Sequence, residues 1–282
     1  MPKIKFISFY VKNKLTYLIA ILLLFITFKY SIAYKSSYIE LVNIFIYLFF
    51  PALFPTIFLT NLISCSISFD KIKNKFILKV ITISLCLIGG SLTTINIAKK
   101  IKFKCLKDKE LFLINLSGGS ISYYFLVFSF YNQFKPWLLT AIIFLAKLII
   151  SLIILNDFSF IPSINNRNYI FESLNTSFNS LYNMLKSLAL ITLIIPFFKL
   201  ISNQYLSNVI LGFIEFTRAG LRLAQIGNIL SLFLLVFIVD FNGLTTLIQI
   251  KMSHSNVRQY LYIIYKLPLS LFISSLLIIF AF

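Results

Sequence analysis

The chain has 282 residues, of which 59% are hydrophobic and only 12% are charged, and its mean hydropathy is +0.93. Soluble domains are about 25% charged, so this composition excludes a water-soluble globular protein, a disordered tail and a collagen-like rod. A membrane-spanning helix needs roughly 20 apolar residues. We therefore expect an all-α polytopic membrane protein with about eight transmembrane helices and little soluble domain.

The charge is strongly positive, with 26 Lys and Arg against 8 Asp and Glu, a net charge of +18. The basic residues cluster between apolar runs, which is typical of loops that face the cytoplasm and anionic lipid headgroups. A nucleic-acid groove would need a soluble face, so the expected partner is the lipid bilayer and not nucleic acid.

Reactive side chains are few and scattered. Cys65, Cys86 and Cys105 form no C-x-x-C pair, and the single histidine, His254, stands alone in a polar stretch. This pattern predicts neither a disulfide framework nor a metal site. The sequence also lacks H-E-x-x-H and G-x-S-x-G motifs, so we expect no enzyme and no cofactor.

The chain is divided here into an N-terminal membrane anchor at 1–38, a first half at 39–156, a polar connection at 157–176 and a second half at 177–282. The apolar run at 15–28 follows four lysines. It fits a first membrane helix held by the positive-inside rule, or a signal peptide cleaved near 31–33. The next span, 39–64, contains Pro51 and Pro55, which should kink it.

A re-entrant hairpin is predicted at Gly89 and Gly90. Four lysines at 71–79 precede this apolar run, and six more follow it at 99–109. A helix crossing the membrane would put one basic cluster outside, against the positive-inside bias, whereas a hairpin keeps both inside. The alternative is an ordinary span with a kinked, polar end. The hydroxyls and Asn96 beyond the glycines suit backbone that lines a cavity.

The run at 111–131 is interrupted by Asn115, Ser117, Gly118, Gly119 and Ser120. Close packing of helices through small residues explains such a cluster, and so does a broken helix that exposes backbone groups to a solute. The next span, 136–155, carries Lys147 at its centre. A charge at that depth usually faces a partner or a water-filled cavity.

The second half also contains interrupted apolar segments. Glu215, Arg218 and Arg222 are spaced to share a helical face, either as an interfacial amphipathic helix or as a half-helix that brings Glu215, Thr217 and a cation to a solute. Residues 229–239 are very apolar and are followed by a short segment that we expect to form the tip and arm of a second hairpin, containing Asn242, Gly243, Thr245, Thr246 and Gln249. Two topologically similar halves of this kind indicate a transporter with internal repeats.

A family resemblance rests on GFIEFTRAG at 212–220 and DFNGLTTLIQI at 240–250. These segments resemble the second half of the sporulation integral membrane protein YlbJ (SpoVV) family, in the nucleoside-recognition or Gate group. The matching positions are Gly212, Glu215, Thr217, Gly220, Gly243, Thr245 and Gln249. LIGGSLTTINIAKK and INLSGG are similar to the family's first-half hairpin and Asn–Ser–Gly cluster, although Asn96 stands where the family has proline.

The resemblance implies an integral membrane transporter, located in the outer forespore membrane during sporulation, that passes dipicolinic acid. Nucleoside-type transport and a non-transporting assembly role in the spore envelope stay open as alternatives, as does a homo-oligomer or a spore-envelope membrane partner. A small planar dianion would need cations, half-helix N-termini and hydroxyl donors. The expected solute-binding residues are Asn96, Asn115, Ser117, Gly118, Glu215, Thr217, Arg218, Asn242, Gly243, Thr245 and Gln249, with hinges at Gly89, Gly90, Gly212 and Gly220.

Overall fold

The computed structural model describes residues 17, 21, 24–67, 69–131, 135–155, 158–161, 168–198, 201–253 and 258–281. Half of the predicted N-terminal helix at 15–28, and His254, lie outside the described residues. From Ser31 to Ser66 the chain forms one continuous helical rod of 36 residues, so the sequence around 31–33 is helical.

The described part of the chain is almost entirely helical, as the composition predicts. The helices of the first half are α1 (Ser31–Asn43), a π-helical segment (Ile44–Phe49), α2 (Phe50–Ser66), α3 (Lys75–Lys100), α4 (Leu106–Leu116), α5 (Ile121–Ser129) and α6 (Pro136–Ile154). Those of the second half are α7 (Tyr169–Thr192), α8 (Ile195–Phe198), α9 (Gln204–Ile214), α10 (Phe216–Ile226), α11 (Ile229–Phe241), α12 (Gly243–Ser253) and α13 (Gln259–Ala281). A short 3₁₀ turn, Phe69–Lys71, follows α2.

Among the described residues, six helical segments are long and apolar enough to cross a membrane. They are Ser31–Ser66, Lys75–Lys100, Leu106–Ser129, Pro136–Ile154, Ile229–Met252 and Gln259–Ala281. The chain is therefore an all-α membrane protein, while the figure of about eight spans stays a prediction. Helix α7, with 24 residues, is as long as several of these six, but its buried face carries serines such as Ser173, Ser177 and Ser187.

Two of these segments lie at the centre of the bundle. In both Leu106–Ser129 and Ile229–Met252, 72% of the most apolar stretch is buried, against 28% in Pro136–Ile154 and in Gln259–Ala281. Both central segments are broken in the middle, because α4 gives way to α5 and α11 to α12. The breaks are therefore enclosed by protein, as non-helical backbone at membrane depth must be.

The lysine clusters gather at one end of the bundle, which we call the basic end (residues 71–79, 99–109 and 258). Here β1 (Ile101–Phe103) pairs antiparallel with β2 (Phe158–Phe160), with Ile101 opposite Phe160. The ring of Phe69, after α2, stacks on Phe160 at 4.3 Å. Arg258, before α13, pairs with Glu110 of α4 at 3.2 Å. The other end of the bundle, at residues 129–131, 135–136, 192–198 and 201–204, is called the opposite end.

Helix α3 turns back on itself at the predicted position, whereas its re-entrant placement in a membrane stays a prediction. Its first arm reaches the basic end, where Lys79 Nζ donates to the carbonyl of Leu152 at 3.0 Å. Its second arm returns there, because the Lys100 carbonyl accepts from Ile161 N–H at 2.9 Å. The turn is at Gly90, whose φ of 72° and ψ of −160° are not helical. Both lysine clusters flanking α3 therefore lie at the basic end.

The second hairpin lies earlier in the chain than predicted. Helices α9 and α10 form it, turning at Glu215, whose φ of −143° and ψ of 101° are extended. Asn228, just after α10, donates to the hydroxyl of Tyr205 at the start of α9, 2.6 Å away. Both arms therefore begin and end at the opposite end. The prediction of a hairpin arm at 242–249 is wrong, because α12 continues from α11 across the bundle as one broken span.

Proline distorts the helical rod as predicted. Pro51 begins α2 and Pro55 lies inside it, and the π-helical segment comes directly before Pro51. Since proline cannot donate the helical N–H bond, the turn before it loses its regular spacing. Helix α7 packs along α2, with Asn61 Nδ2 donating to Ser177 Oγ at 2.9 Å. Helix α7 begins at Tyr169, within the segment predicted as a polar connection.

Candidate functional site where two broken helices cross

The breaks in α4–α5 and α11–α12 meet in the middle of the bundle, at a point that we call the crossing (residues 117–120 and 239–243). Gly119 N–H donates to the carbonyl of Val239 at 3.3 Å. Asn242 Nδ2 donates to the carbonyl of Ser117 at 3.1 Å. The carbonyls freed at the end of each half-helix are thus partly satisfied by the other break, which is what unwound backbone at this depth requires.

The break in α11–α12 depends on two consecutive residues with positive φ. Asn242 has φ 69°, and Gly243 has φ 60°. Asparagine tolerates this region better than most residues. At position 243 a Cβ would stand 2.9 Å from the carbonyl oxygen of Gly212 and 3.1 Å from that of Ile214. Glycine is therefore required where the start of α12 meets the end of α9.

The tip of the first hairpin touches the other break. A Cβ on Gly90 would lie 2.9 Å from the backbone nitrogen and the Cβ of Ser120. Ser120 is the N-cap of α5, and its hydroxyl accepts from Tyr123 N–H at 3.2 Å. Thr94 Oγ1 contacts the carbonyls of Gly90 and Cys86, at 2.9 and 3.4 Å,. The hairpin tip is thus closed on itself and packed against the crossing.

The tip of the second hairpin is held by a buried ion pair. Glu215 caps α10 by accepting from Thr217 N–H at 2.8 Å and from Arg218 N–H at 3.1 Å. Its carboxylate lies 3.8 Å from Arg218 Nε. Arg218 Nη2 donates to Thr192 Oγ1 at 2.9 Å. Arg222, on the same helix, pairs with Glu40 of α1 at 3.0 Å.

Arg218 is not saturated by these contacts. Its side chain is buried, and Nε and Nη1 find no hydrogen-bond partner among the described residues. A buried guanidinium with donors left over is costly unless another acceptor reaches it. Of the two interpretations of this segment, the half-helix fits the burial, because Glu215, Thr217 and Arg218 are enclosed rather than at an interface.

A second charged group lies directly beside the crossing. Asp240, near the end of α11, binds Lys147 of α6 at 2.6 Å and Lys266 of α13 at 3.4 Å. Tyr124 of α5 donates its hydroxyl to the same carboxylate at 3.3 Å. All three charged side chains are 3% exposed or less. We call Lys147, Asp240 and Lys266 the triad. Of the partner or water-filled cavity expected for Lys147, the structure shows a partner.

The triad touches the crossing through Gly118. A side chain at that position would collide with Lys147 Nζ, and its Cβ would lie 2.9 Å from Asp240 Oδ1. Gly118 is therefore a direct contact between the triad and the crossing. Glycine is needed here because the ammonium and the carboxylate occupy the place of a side chain.

A small cavity of about 30 Å³ lies between the breaks and the hairpin tips, enough for about one or two waters. Small and polar residues of both halves line one part of it, and large apolar and aromatic side chains line the rest: Gly89, Gly90, Ser91, Gly118, Gly119, Ser120, Asn242 and Gln249, with Leu53, Ile57, Leu92, Tyr123, Met184 and Phe216. Asn242 Oδ1 is buried and without a hydrogen-bond partner among the described residues. The cavity thus has both polar donors and a free acceptor.

A polar vestibule of about 190 Å³ lies between the second arm of α3, α7 and α12. Its lining is rich in amides and hydroxyls and reaches the basic end, with Asn96, Lys99, Thr176, Asn179, Ser180 and Asn183. Leu92 and Gln249 line both the vestibule and the small cavity. Gln249 is held by a bond from its Nε2 to Ser187 Oγ at 3.1 Å. These two side chains therefore stand between the vestibule and the crossing.

Many of the predicted solute-binding residues meet at these places. Gly118, Asn242 and Gln249 line the small cavity together with the hinges Gly89 and Gly90, Ser117 and Gly243 form the crossing, and Asn96 lines the vestibule. Glu215, Thr217 and Arg218 form the second hairpin tip.

Four other predicted residues are engaged in packing. Asn115 donates to the carbonyl of Leu111 within α4, at 2.9 Å. Thr245 donates to the carbonyl of Asn242 at 3.3 Å, inside the start of α12. Gly212 lies against Ile238, and Gly220 lies against Tyr123. These positions support the breaks without facing the cavity.

Sequence reasoning missed Asp240 and Lys266 as functional candidates. Both are ionisable residues within apolar runs, which is itself a signal of function in membrane helices. Their pairing joins positions 26 residues apart on different helices, which no local spacing reveals. Among the described residues no group of three His, Cys, Asp or Glu side chains is placed to hold a metal ion.

Comparison of the chain with protein-family models, with curated proteins and with solved structures finds no match in any of the three.

Proposed function

We propose that this protein is an integral membrane transporter that passes a small anionic solute through the crossing. The observation that carries the proposal is the meeting of four interrupted helices at one enclosed point. The breaks at Gly90, Gly118 and Asn242 line the small cavity, and the break at Glu215 lies beside them, since the carbonyl of Ile214 is 3.1 Å from a Cβ built on Gly243. Discontinuous helices that meet at mid-depth are the usual construction of a transporter's solute site.

The order of the helices supports an inverted internal repeat. Each half has a long helix, a hairpin, a broken span and a second long helix: α2, α3, α4–α5 and α6 in the first, and α7, α9–α10, α11–α12 and α13 in the second. The first hairpin enters from the basic end and the second from the opposite end. Inverted repeats of this kind allow one half to rock against the other.

The charge around the crossing favours an anion. Three buried cations, Lys147, Arg218 and Lys266, face two buried carboxylates, Asp240 and Glu215. The N-terminal ends of α5, α10 and α12 also begin at the breaks, and helix N-termini carry partial positive charge. The spare donors of Arg218 would hydrogen-bond carboxylate oxygens,.

The structure corresponds to a closed state in this proposal. A cavity of about 30 Å³ does not hold an aromatic dicarboxylate, so a solute reaches the crossing only when the hairpins move. The vestibule is the route from the basic end, with Leu92 and Gln249 as its inner limit. The positive-inside rule puts the basic end in the cytoplasm.

Dipicolinic acid is the solute that we propose, together with membership of the YlbJ family and action at the outer forespore membrane during sporulation. The support is the resemblance at 212–220 and 240–250 and the fit of a small planar dianion to the charges at the crossing. No enzymatic step is part of this proposal.

The test is uptake into liposomes that contain the purified protein. We expect accumulation of 2,6-pyridinedicarboxylate in these liposomes and none in protein-free ones. Uridine offered in the same assay separates the nucleoside alternative. Movement of uridine but not of the dicarboxylate would show that the proposed identity of the solute is wrong. Movement of neither, with correctly folded protein, would contradict transport and favour the assembly role.

A further inference from the structure

The triad holds more positive than negative charge in a place shielded from water. Two ammonium groups, Lys147 and Lys266, share one carboxylate, Asp240, and all three side chains are at most 3% exposed. When both lysines are protonated the triad carries a net charge of +1. An unbalanced charge in a low-dielectric interior is costly unless a counter-ion approaches or a proton leaves.

The two lysines are not equivalent. Lys147 makes the short contact to Asp240 Oδ1, at 2.6 Å, and its ammonium also lies 5.8 Å from the centre of the Tyr124 ring. Lys266 lies 3.4 Å from Asp240 Oδ2, and neither ammonium makes a hydrogen bond among the described residues. Lys266 is therefore the ammonium that Asp240 holds less closely.

Several titratable groups surround Lys266. Around it are Asp240 from α11, Lys147 from α6, Tyr124 from α5 and, one turn earlier on α13, Tyr262, whose hydroxyl donates to the carbonyl of Phe241 at 2.6 Å. Glu110 of α4 is engaged with Arg258 at the basic end. Both tyrosines act as hydrogen-bond donors in their neutral forms.

Gly118 lies against the triad and also lines the small cavity. An anion in that cavity would supply the missing negative charge, so it would bind best to the triad with both lysines protonated. Two binding events that favour the same state are linked, and each strengthens the other.

Resting on the proposed function, we infer that the triad is a proton-coupling site, in which Lys266 takes up one proton when an anion binds at the crossing. In the return step the Lys266 ammonium passes its proton to water in the opened passage, and the neutral amine stays beside Asp240. The solute and one proton then move together.

Binding of 2,6-pyridinedicarboxylate to the purified full-length protein, measured by calorimetry over a pH series and in buffers of different ionisation enthalpy, tests this inference. Above the pH at which Lys266 loses its proton, we expect the affinity for the anion to fall by about tenfold per pH unit. About one proton should be taken up for each anion that binds. Lys266→Arg, which stays charged, should bind without this pH dependence. Lys186→Met is the matched control, because Lys186 lies on Tyr182 at 4.0 Å, away from the triad.

A pH-independent affinity in the wild type, or the same pH dependence in Lys266→Arg, would overturn the inference while leaving transport intact. If the wild type binds no dicarboxylate at any pH, the proposed solute fails instead. In that case NMR of protein labelled at the lysine Nζ tests whether Lys266 of the triad loses its proton as we infer. A lysine that loses its proton well before the others, and whose signal is missing from Lys266→Arg, supports the inference. Lysines that all stay charged into alkaline solution contradict it.

Discussion

Asn242 donates its side-chain amide to the carbonyl of Ser117, 3.1 Å away, and thereby ties the two broken helices together. The bond joins residues 125 positions apart in the chain, one from each half. It also explains why an asparagine with positive φ occupies position 242, since both the backbone and the side chain are used. The crossing is therefore a built contact rather than a gap between helices.

Replacing Asn242 should destabilise the folded protein. Asn242→Ala leaves the buried Ser117 carbonyl without its donor, at a cost of about 1–3 kcal/mol. Alanine is also disfavoured at a φ of 69°,. We expect a lower thermal midpoint in detergent for Asn242→Ala and a smaller loss for Asn242→Gly, which tolerates the backbone. Equal midpoints for wild type and Asn242→Ala would show that the bond contributes nothing.

Gly118→Ala should disturb the triad. The added methyl group takes the place of Lys147 Nζ, so the contact with Asp240 must lengthen. We expect a loss of stability of about 1–3 kcal/mol, as overpacking usually costs. Gly227→Asn is the control, since no atom lies within 4 Å of a Cβ there and asparagine accepts the left-handed backbone. A Gly118→Ala protein as stable as the control would contradict the packing described for the triad.

The Glu215–Arg218 pair should show strong coupling. Arg218→Met leaves Glu215 buried without its cation, and Glu215→Ala leaves Arg218 buried without its anion. Breaking a buried pair from one side costs about 3–5 kcal/mol. We expect the double variant Glu215→Gln with Arg218→Met to be more stable than Glu215→Ala, as measured by thermal unfolding. Strictly additive losses would mean that the two side chains do not interact.

Changes to the Glu215–Arg218 pair should reduce transport more than they reduce the stability of the protein. We expect Glu215→Gln and Arg218→Ala to reach the membrane and to lose uptake of 2,6-pyridinedicarboxylate, because each removes a charge at the second hairpin tip. Surface biotinylation measures the amount of protein, and uptake is scaled to it. Normal uptake by both variants would show that the second hairpin tip is not part of the solute site.

The orientation of the chain is testable with its own cysteines. Cys105 is exposed at the basic end, whereas Cys86 is buried. If the basic end is cytoplasmic, a membrane-impermeant maleimide should label Cys105 in inside-out vesicles and not in intact cells. Ser129→Cys, at the opposite end in a variant without Cys105, should give the reverse pattern. Labelling of Cys105 in intact cells would invert the assigned orientation.

The first hairpin was predictable because charge reports on topology. Ten lysines flank residues 80–98 on both sides, and only a turn at Gly89–Gly90 keeps them at one end. The second hairpin has no such flanks, and its turn residue is a glutamate rather than a glycine pair. Asn242 and Gly243 have the composition of a turn, yet the chain passes through them and continues across the bundle.

The candidate site was predictable in its parts but not in its assembly. Polar and small residues within apolar runs indicated the breaks, because lipid tolerates such residues only where protein encloses them. Which breaks meet depends on packing between distant helices. Asp240 illustrates the limit, since its partners Lys147 and Lys266 lie on two other helices and the sequence alone does not pair them.

The most direct test of the proposed passage is whether water reaches the crossing. Ser91→Cys introduces a thiol in the lining of the small cavity with almost no change in shape, and Ser274→Cys does the same at a buried position of α13. In membranes, with the native cysteines replaced by alanine, we expect a small hydrophilic thiosulfonate to modify Ser91→Cys and to do so more slowly when 2,6-pyridinedicarboxylate is present. Ser274→Cys should not react. Equal and negligible reaction at both positions would mean that the breaks are packed without water and form no passage.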